Sequence, residues 1–87
     1  PSIDDFRQAP NPFNESFQFS FVSNTQVDAL IYIYANDGKL VFSKKSAIQA
    51  GVNKIQINAN QLSGPGIYYY KFVVGNFLKK GKLILSK

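Results

Sequence analysis

Apolar side chains in this chain recur at every second position, a period that builds strands and leaves no stripe for an amphipathic helix. Phe17, Phe19 and Phe21 alternate with Gln18 and Ser20. Ile55 and Ile57 alternate with Lys54 and Gln56. Lys71 must face water, so Tyr68, Tyr70, Phe72 and Val74 take the inward face and leave Ile67, Tyr69 and Val73 outward. Asp28 fixes the parity of its run in the same way. Val27, Ala29, Ile31 and Ile33 point inward, while Leu30 and Tyr32 are pushed out.

The breaks between these runs are turn chemistry. Asn36-Asp37-Gly38 predicts a hairpin with Gly38 at positive φ, Ala50-Gly51 a turn, and Gly75-Asn76 a two-residue hairpin loop. Ala9-Pro10-Asn11-Pro12-Phe13 reads as an extended corner, because proline fixes φ and disfavours helix for the residue before it. Phe13 is its anchor into the core. Residues 1–5 read as a linker and Phe6 marks a short edge strand; residues 39–43 form a strand, and 44–49 is polar, either an irregular stretch or a continuing strand edge. Residues 60–66 form a loop whose Leu62 plugs one end of the core, and 77–86 form the last strand. About seven strands at a spacing of ~8–12 residues predict an all-β fold, a small antiparallel β-sandwich, immunoglobulin-like in outline.

Composition narrows the chemistry. The chain has 87 residues, no Cys, no Trp and no His. Disulfides and thiolate metal sites are excluded, and no imidazole is present for acid–base work or for activating a serine. The carboxylates Asp4, Asp5, Glu15, Asp28 and Asp37 are scattered, with none of the spacing of a calcium loop. The expectation is no enzyme, no cofactor and no metal. A chain that starts at Pro1 and contains no Met is expected to be part of a longer protein, and no apolar run approaches the ~20 residues of a membrane helix.

What remains is surface. Ten basic residues against five acids leave a net charge of +5, and Lys79, Lys80, Lys82 and Lys87 crowd the C-terminal strand. Lysines there either guard an exposed edge against aggregation or attract an anionic partner. Leu30, Tyr32, Tyr69 and Val73 form an apolar patch if their strands are neighbours. That patch is either a binding surface, which leaves a weak homodimer open, or ordinary cross-strand packing. Tyrosines on a flat sheet face also suit sugar rings, although Trp and a carboxylate cluster are missing. The charge is too modest to favour nucleic acid, and none is expected as a partner.

Taken in order, the motifs resemble a known family. Pro10-Asn11-Pro12-Phe13-Asn14 opens the set. Ile33-Tyr34, Asn36-Asp37-Gly38-Lys39 and Val41 follow, then Ala50-Gly51-Val52-Asn53, Leu62 and Gly66-Ile67-Tyr68. Lys79-Lys80, Lys82-Leu83-Ile84-Leu85 and Lys87 close it. The series resembles the type A C-terminal sorting domain of the type IX secretion system (the Por secretion system) of Bacteroidetes and related phyla. It spans residues 6–87, with Ala9 where many members carry Tyr.

The resemblance implies a sorting signal that follows an upstream cargo in the same precursor. The protein would pass through the periplasm and cross the outer membrane to the cell surface or medium. It implies type IX machinery and a surface sortase-like peptidase as partners, with cleavage in the linker at or before residues 1–5. Recognition is expected at Lys79, Lys80, Lys82, Leu83, Ile84, Leu85 and Lys87. Pro10, Asn11, Pro12, Phe13, Asp37, Gly38, Gly51, Leu62, Gly66 and Tyr68 are expected to hold the frame. The competing reading is an immunoglobulin-like accessory or carbohydrate-binding module of a secreted enzyme.

Overall fold

The computed structural model of the chain describes residues 3–86. The strands are β1 (Ile3–Ala9), β2 (Ser16–Ser23), β3 (Val27–Ala35), β4 (Leu40–Ile48), β5 (Gly51–Asn58), β6 (Gly66–Val74) and β7 (Phe77–Leu85), and one 3-10 turn, Ala59–Gln61, joins β5 to β6. They form a three-stranded sheet ordered β1-β2-β5 and a four-stranded sheet ordered β4-β3-β6-β7, all neighbours antiparallel. This is the immunoglobulin-like sandwich expected from the alternation and the turn spacing.

The inward residues meet in one core. Phe17, Phe19 and Phe21 of β2 face Tyr70 and Phe72 of β6, and Ala29, Ile31 and Ile33 of β3 complete the layer. The rings interlock edge to face: Phe17 on Phe19 at 5.3 Å, Phe19 on Tyr70 at 5.0 Å, Phe21 on Phe72 at 5.1 Å between centroids. Each such side chain contributes about 1.5–3 kcal/mol by burial. Phe6, half-buried on β1, closes the flank against Phe72 at 4.9 Å. Phe13 is buried as expected and sits edge-on to Phe17 at 4.8 Å.

Three expectations need correction or completion. Residues 3–5 of the anticipated linker belong to β1, because Ile3 pairs with Ser23 and packs on the core; Pro1 and Ser2 lie outside the described residues. Of the two readings of 44–49, the continuing strand edge holds: β4 runs to Ile48, which is buried and opposite Val27. Its run of polar residues reflects an edge strand with water on its outer side, a position where the apolar period fades. The third correction concerns β7. Leu83 and Leu85 are 0% and 3% exposed and belong to the core.

Two turns show how the frame is held. In the β3–β4 hairpin the Lys39 N–H donates to Asp37 Oδ1 at 3.0 Å and Gly38, at φ +90°, donates to the Ala35 carbonyl at 2.9 Å. At the start of β6 the Tyr68 hydroxyl donates to the Gly64 carbonyl at 2.5 Å. That is the tyrosine corner found at this position in immunoglobulin-like sandwiches. It ties the loop that carries Leu62, which is buried, to the body of β6.

Candidate functional site

Strand β7 lies at the edge of the four-stranded sheet, paired with β6 on one side only. The β6–β7 loop has two residues, Gly75 and Asn76, between the paired Val74 and Phe77. A two-residue hairpin makes its flanking pair hydrogen-bonded, and bonded and non-bonded pairs then alternate. Residues 77, 79, 81, 83 and 85 therefore bond to β6, and residues 78, 80, 82 and 84 turn their backbone groups outward. Contacts further along agree. The Lys82 carbonyl and the Ile84 N–H both point away from β6, toward Asn11.

Half of this outer edge is already occupied. Asn11 Nδ2 donates to the Lys82 carbonyl at 2.8 Å, and the Ile84 N–H donates to Asn11 Oδ1 at 3.0 Å. Next, the Phe13 N–H donates to the Ile84 carbonyl and the Ser86 N–H to the Phe13 carbonyl, both at 2.9 Å. The segment at Phe13 thus runs beside Leu85 as a parallel bridge. The side-chain amide of Asn11 stands in for one residue of a strand. Pro10 and Pro12, each preceded by a cis peptide, bracket it. Among the described residues, the N–H and C=O of Leu78 and Lys80 and the N–H of Lys82 remain open on the edge.

The expected recognition residues divide by parity. Lys80, Lys82 and Ile84 point to the outer face of the sheet, Lys80 and Lys82 exposed and Ile84 half-buried. Leu83 and Leu85 point inward, so their side chains serve the core. Lys79 pairs with Phe72 on the inner side of the sheet yet is exposed. A charge aimed inward on an edge strand is a device against edge-to-edge aggregation. Lys87 lies outside the described residues.

The predicted apolar patch is on this same outer face. Leu30 pairs with Val73, and Tyr34 with Tyr69, on the adjacent strands β3 and β6. Between those pairs, Tyr32 pairs with Lys71, whose Nζ sits 5.8 Å from the centre of the Tyr32 ring. The patch is therefore crossed by a cation. The expected patch includes neither Tyr34 nor Lys71, because the face they share with it appears only once β3 and β6 are neighbours.

Rows continue onto β7, with Lys71 opposite Lys80 and Tyr69 opposite Lys82. Tyr34, Tyr69, Lys71, Lys80 and Lys82 line a cleft of about 600 Å³ over the Tyr70–Gly81 pair. Gly81 is the residue most easily overlooked. A Cβ there would lie 2.5 Å from the Tyr70 ring, so only glycine lets that ring cover the strand. Glycine inside a strand is the sequence signal for such a close approach.

Among the described residues, no group of three or more His, Cys, Asp or Glu could hold a metal ion. The cleft wall carries lysine ammonium and tyrosine hydroxyl groups and no carboxylate.

The fold is similar to part of a solved β-glucosidase from Listeria innocua. In complex with glucose, that enzyme aligns with a TM-score of 0.51 at 14% identity, over 99% of this chain and 16% of the enzyme chain. In complex with isofagomine the values are 0.47, 15%, 97% and 16%. The chain thus spans about a sixth of that enzyme, and the likeness concerns the sandwich alone. No curated protein sequence matches the chain. A family model described as "Secretion system C-terminal sorting domain" matches residues 9–86. That match runs from the proline corner through the clasped end of β7, and the chain belongs to the family of type IX secretion system C-terminal sorting domains.

Proposed function

We propose that the domain is a non-catalytic address label read in its folded state. An upstream cargo in the same precursor is carried with it into the periplasm. The type IX machinery then engages the β7 side of the sandwich and moves the cargo across the outer membrane, to the surface or the medium. A surface sortase-like peptidase separates cargo from domain upstream of β1.

The observation that carries this reading is the clasp of Asn11 and Phe13 on β7. It joins the two ends of the family motif and holds a lysine-bearing edge on a rigid frame, which is what a recognition element needs. Lysines outside the clasp supply electrostatic steering.

The test is a fluorescent protein fused to residues 1–87, expressed in a type IX-competent host. Export of the intact fusion is expected, with retention in the periplasm when residues 86–87 are removed or when Lys80 and Lys82 become Glu. Removing the last ten residues also takes Leu83 and Leu85 out of the core, so the smaller changes decide. Retention of the intact fusion, or normal export of both small variants, would overturn the reading.

A further inference from the structure

We propose that the open part of the β7 edge, residues 78–82, docks an extended acidic segment of a partner protein, which adds to the four-stranded sheet as a fifth strand. The partner's identity as the secretion machinery rests on the sorting reading; the docking mode rests on the edge itself.

The outer face presents an imbalance. Lys71 and Lys80 stand directly opposite each other as a non-hydrogen-bonded pair, the closer of the two antiparallel spacings. Like charges so placed are destabilising. Lys82 adds a third ammonium on the same face, and no carboxylate lines the cleft they share. The other edge of this sheet is different. There Lys45 of β4 has Asp28 at 3.5 Å. Lysines that merely guard an edge work equally well when paired, as Lys45 is. Among the described residues, three ammonium groups share the outer face at β7 with no carboxylate in their cleft, and that imbalance points to carboxylates supplied from outside.

Backbone geometry selects the kind of ligand. The clasp consumes the edge from the Lys82 carbonyl onward. It stops where the lysine cluster begins, leaving the outward N–H and C=O groups of Leu78 and Lys80 beside that cluster. An extended peptide satisfies both features at once: its main chain pairs with Leu78 and Lys80, and every second side chain falls on the outer face next to Lys80 and Lys82. Acidic residues at those alternating positions would meet the ammonium groups. A sugar or a free anion would use the lysines and leave the backbone groups unpaired.

The probe is an acetylated Glu-Val-Glu-Val-Glu-Val-Glu peptide, with the Lys-Val counterpart as control, titrated into isotope-labelled residues 1–87. At ten times the Kd, amide exchange at Leu78 and Lys80 should slow about tenfold, and 0.5 M salt should weaken the effect. Lys80→Pro removes an outward N–H without touching the bonds to β6, a change edge strands tolerate, and should abolish protection while Lys80→Ala retains it. Should the proline variant unfold, the Lys80→Glu/Lys82→Glu variant decides, since it should prefer the Lys-Val peptide. Equal protection by both peptides, protection mapping to β4, or binding of polygalacturonate without amide protection would overturn the proposal. In the export assay, normal export of a folded Lys80→Pro fusion would sink edge docking by the machinery and leave sorting intact. Peptide binding by a domain whose intact fusion is not exported would sink sorting and leave the site.

Discussion

Asn11 holds Lys82 across a sequence separation of 71 residues: its Nδ2 donates to the Lys82 carbonyl at 2.8 Å while its Oδ1 accepts from the next outward N–H, that of Ile84, at 3.0 Å. One amide thus satisfies both the donor and the acceptor character of the edge. At neutral pH the side-chain amide of Asn or Gln offers both groups side by side on one planar head, and Asn has the shorter reach that a segment lying against the strand requires.

Replacing Asn11 with Ala should lower stability by about 1 kcal/mol, since the partners are exposed and water takes over the lost bonds. Asn11→Asp is the sharper variant. At neutral pH it keeps the acceptor, loses the donor and sets a carboxylate against the Lys82 carbonyl. The deficit relative to the unmodified chain should exceed that of the Ala variant, then shrink below about pH 4, where a protonated carboxyl regains a donor. Urea unfolding of the three proteins at pH 7 and at about pH 3 would show it. A deficit for Asp that does not change with pH would mean that the side chain has left the edge.

Tyr68→Phe removes the hydroxyl that closes on the Gly64 carbonyl and sits 3.3 Å from Ser63 Oγ. The expected loss is about 0.5–1.5 kcal/mol with an unchanged denaturant slope. The ring stays buried, so the core should be intact. Faster amide exchange confined to residues 62–66 would identify the loss as loosening of the corner rather than of the sandwich.

The legible part of the fold was its interior. Lys71 alone assigned the inward face of β6, and Asp28 that of β3, because a charge in the core is prohibitive. The parity of β7 was obscured, since lysines occupy both of its faces: Lys79 lies on the inner side yet is exposed, so its charge says nothing about which way the strand faces. Leu83 and Leu85 enter the expected recognition set with their lysine neighbours through the family motif, which carries no information on parity. Ile48 was missed for a related reason, as β4 is an edge whose outer side accepts any polar residue. The proline corner was recognisable as a motif, but that its Asn side chain would complete a strand edge depends on a contact that no local pattern encodes.

Gly81→Ala tests the close approach beneath Tyr70. In an unconstrained strand, alanine in place of glycine stabilises by about 0.5–1 kcal/mol. Here the added Cβ lies 2.5–2.6 Å from Tyr70 Cε2, Cζ and Oη, and the ring is held on its other side by Phe19. The sign should therefore reverse, to a loss of about 1–3 kcal/mol. Tyr70→Leu in the same chain clears the space, so the double variant should be more stable than the sum of the single losses. Additive losses in the double-mutant cycle would show that the ring moves aside at no cost.

Tyr70 also makes stability depend on alkaline pH. Burial holds its hydroxyl above the ordinary tyrosine range, because desolvation disfavours the phenolate. The folded pKa exceeds the unfolded value of about 10, so the unfolded chain releases its proton first as pH rises. The stabilising contribution is complete below about pH 10 and is lost as pH climbs through the folded pKa. Tyr70→Phe cannot ionise and lacks this slope. Melting temperatures of the two proteins, compared between about pH 8 and pH 11, should show the unmodified chain losing stability faster above about pH 10. Parallel curves through that range would mean that the Tyr70 hydroxyl is solvated in the folded state, and that the cleft between Tyr34, Tyr69 and Lys82 reaches down to it.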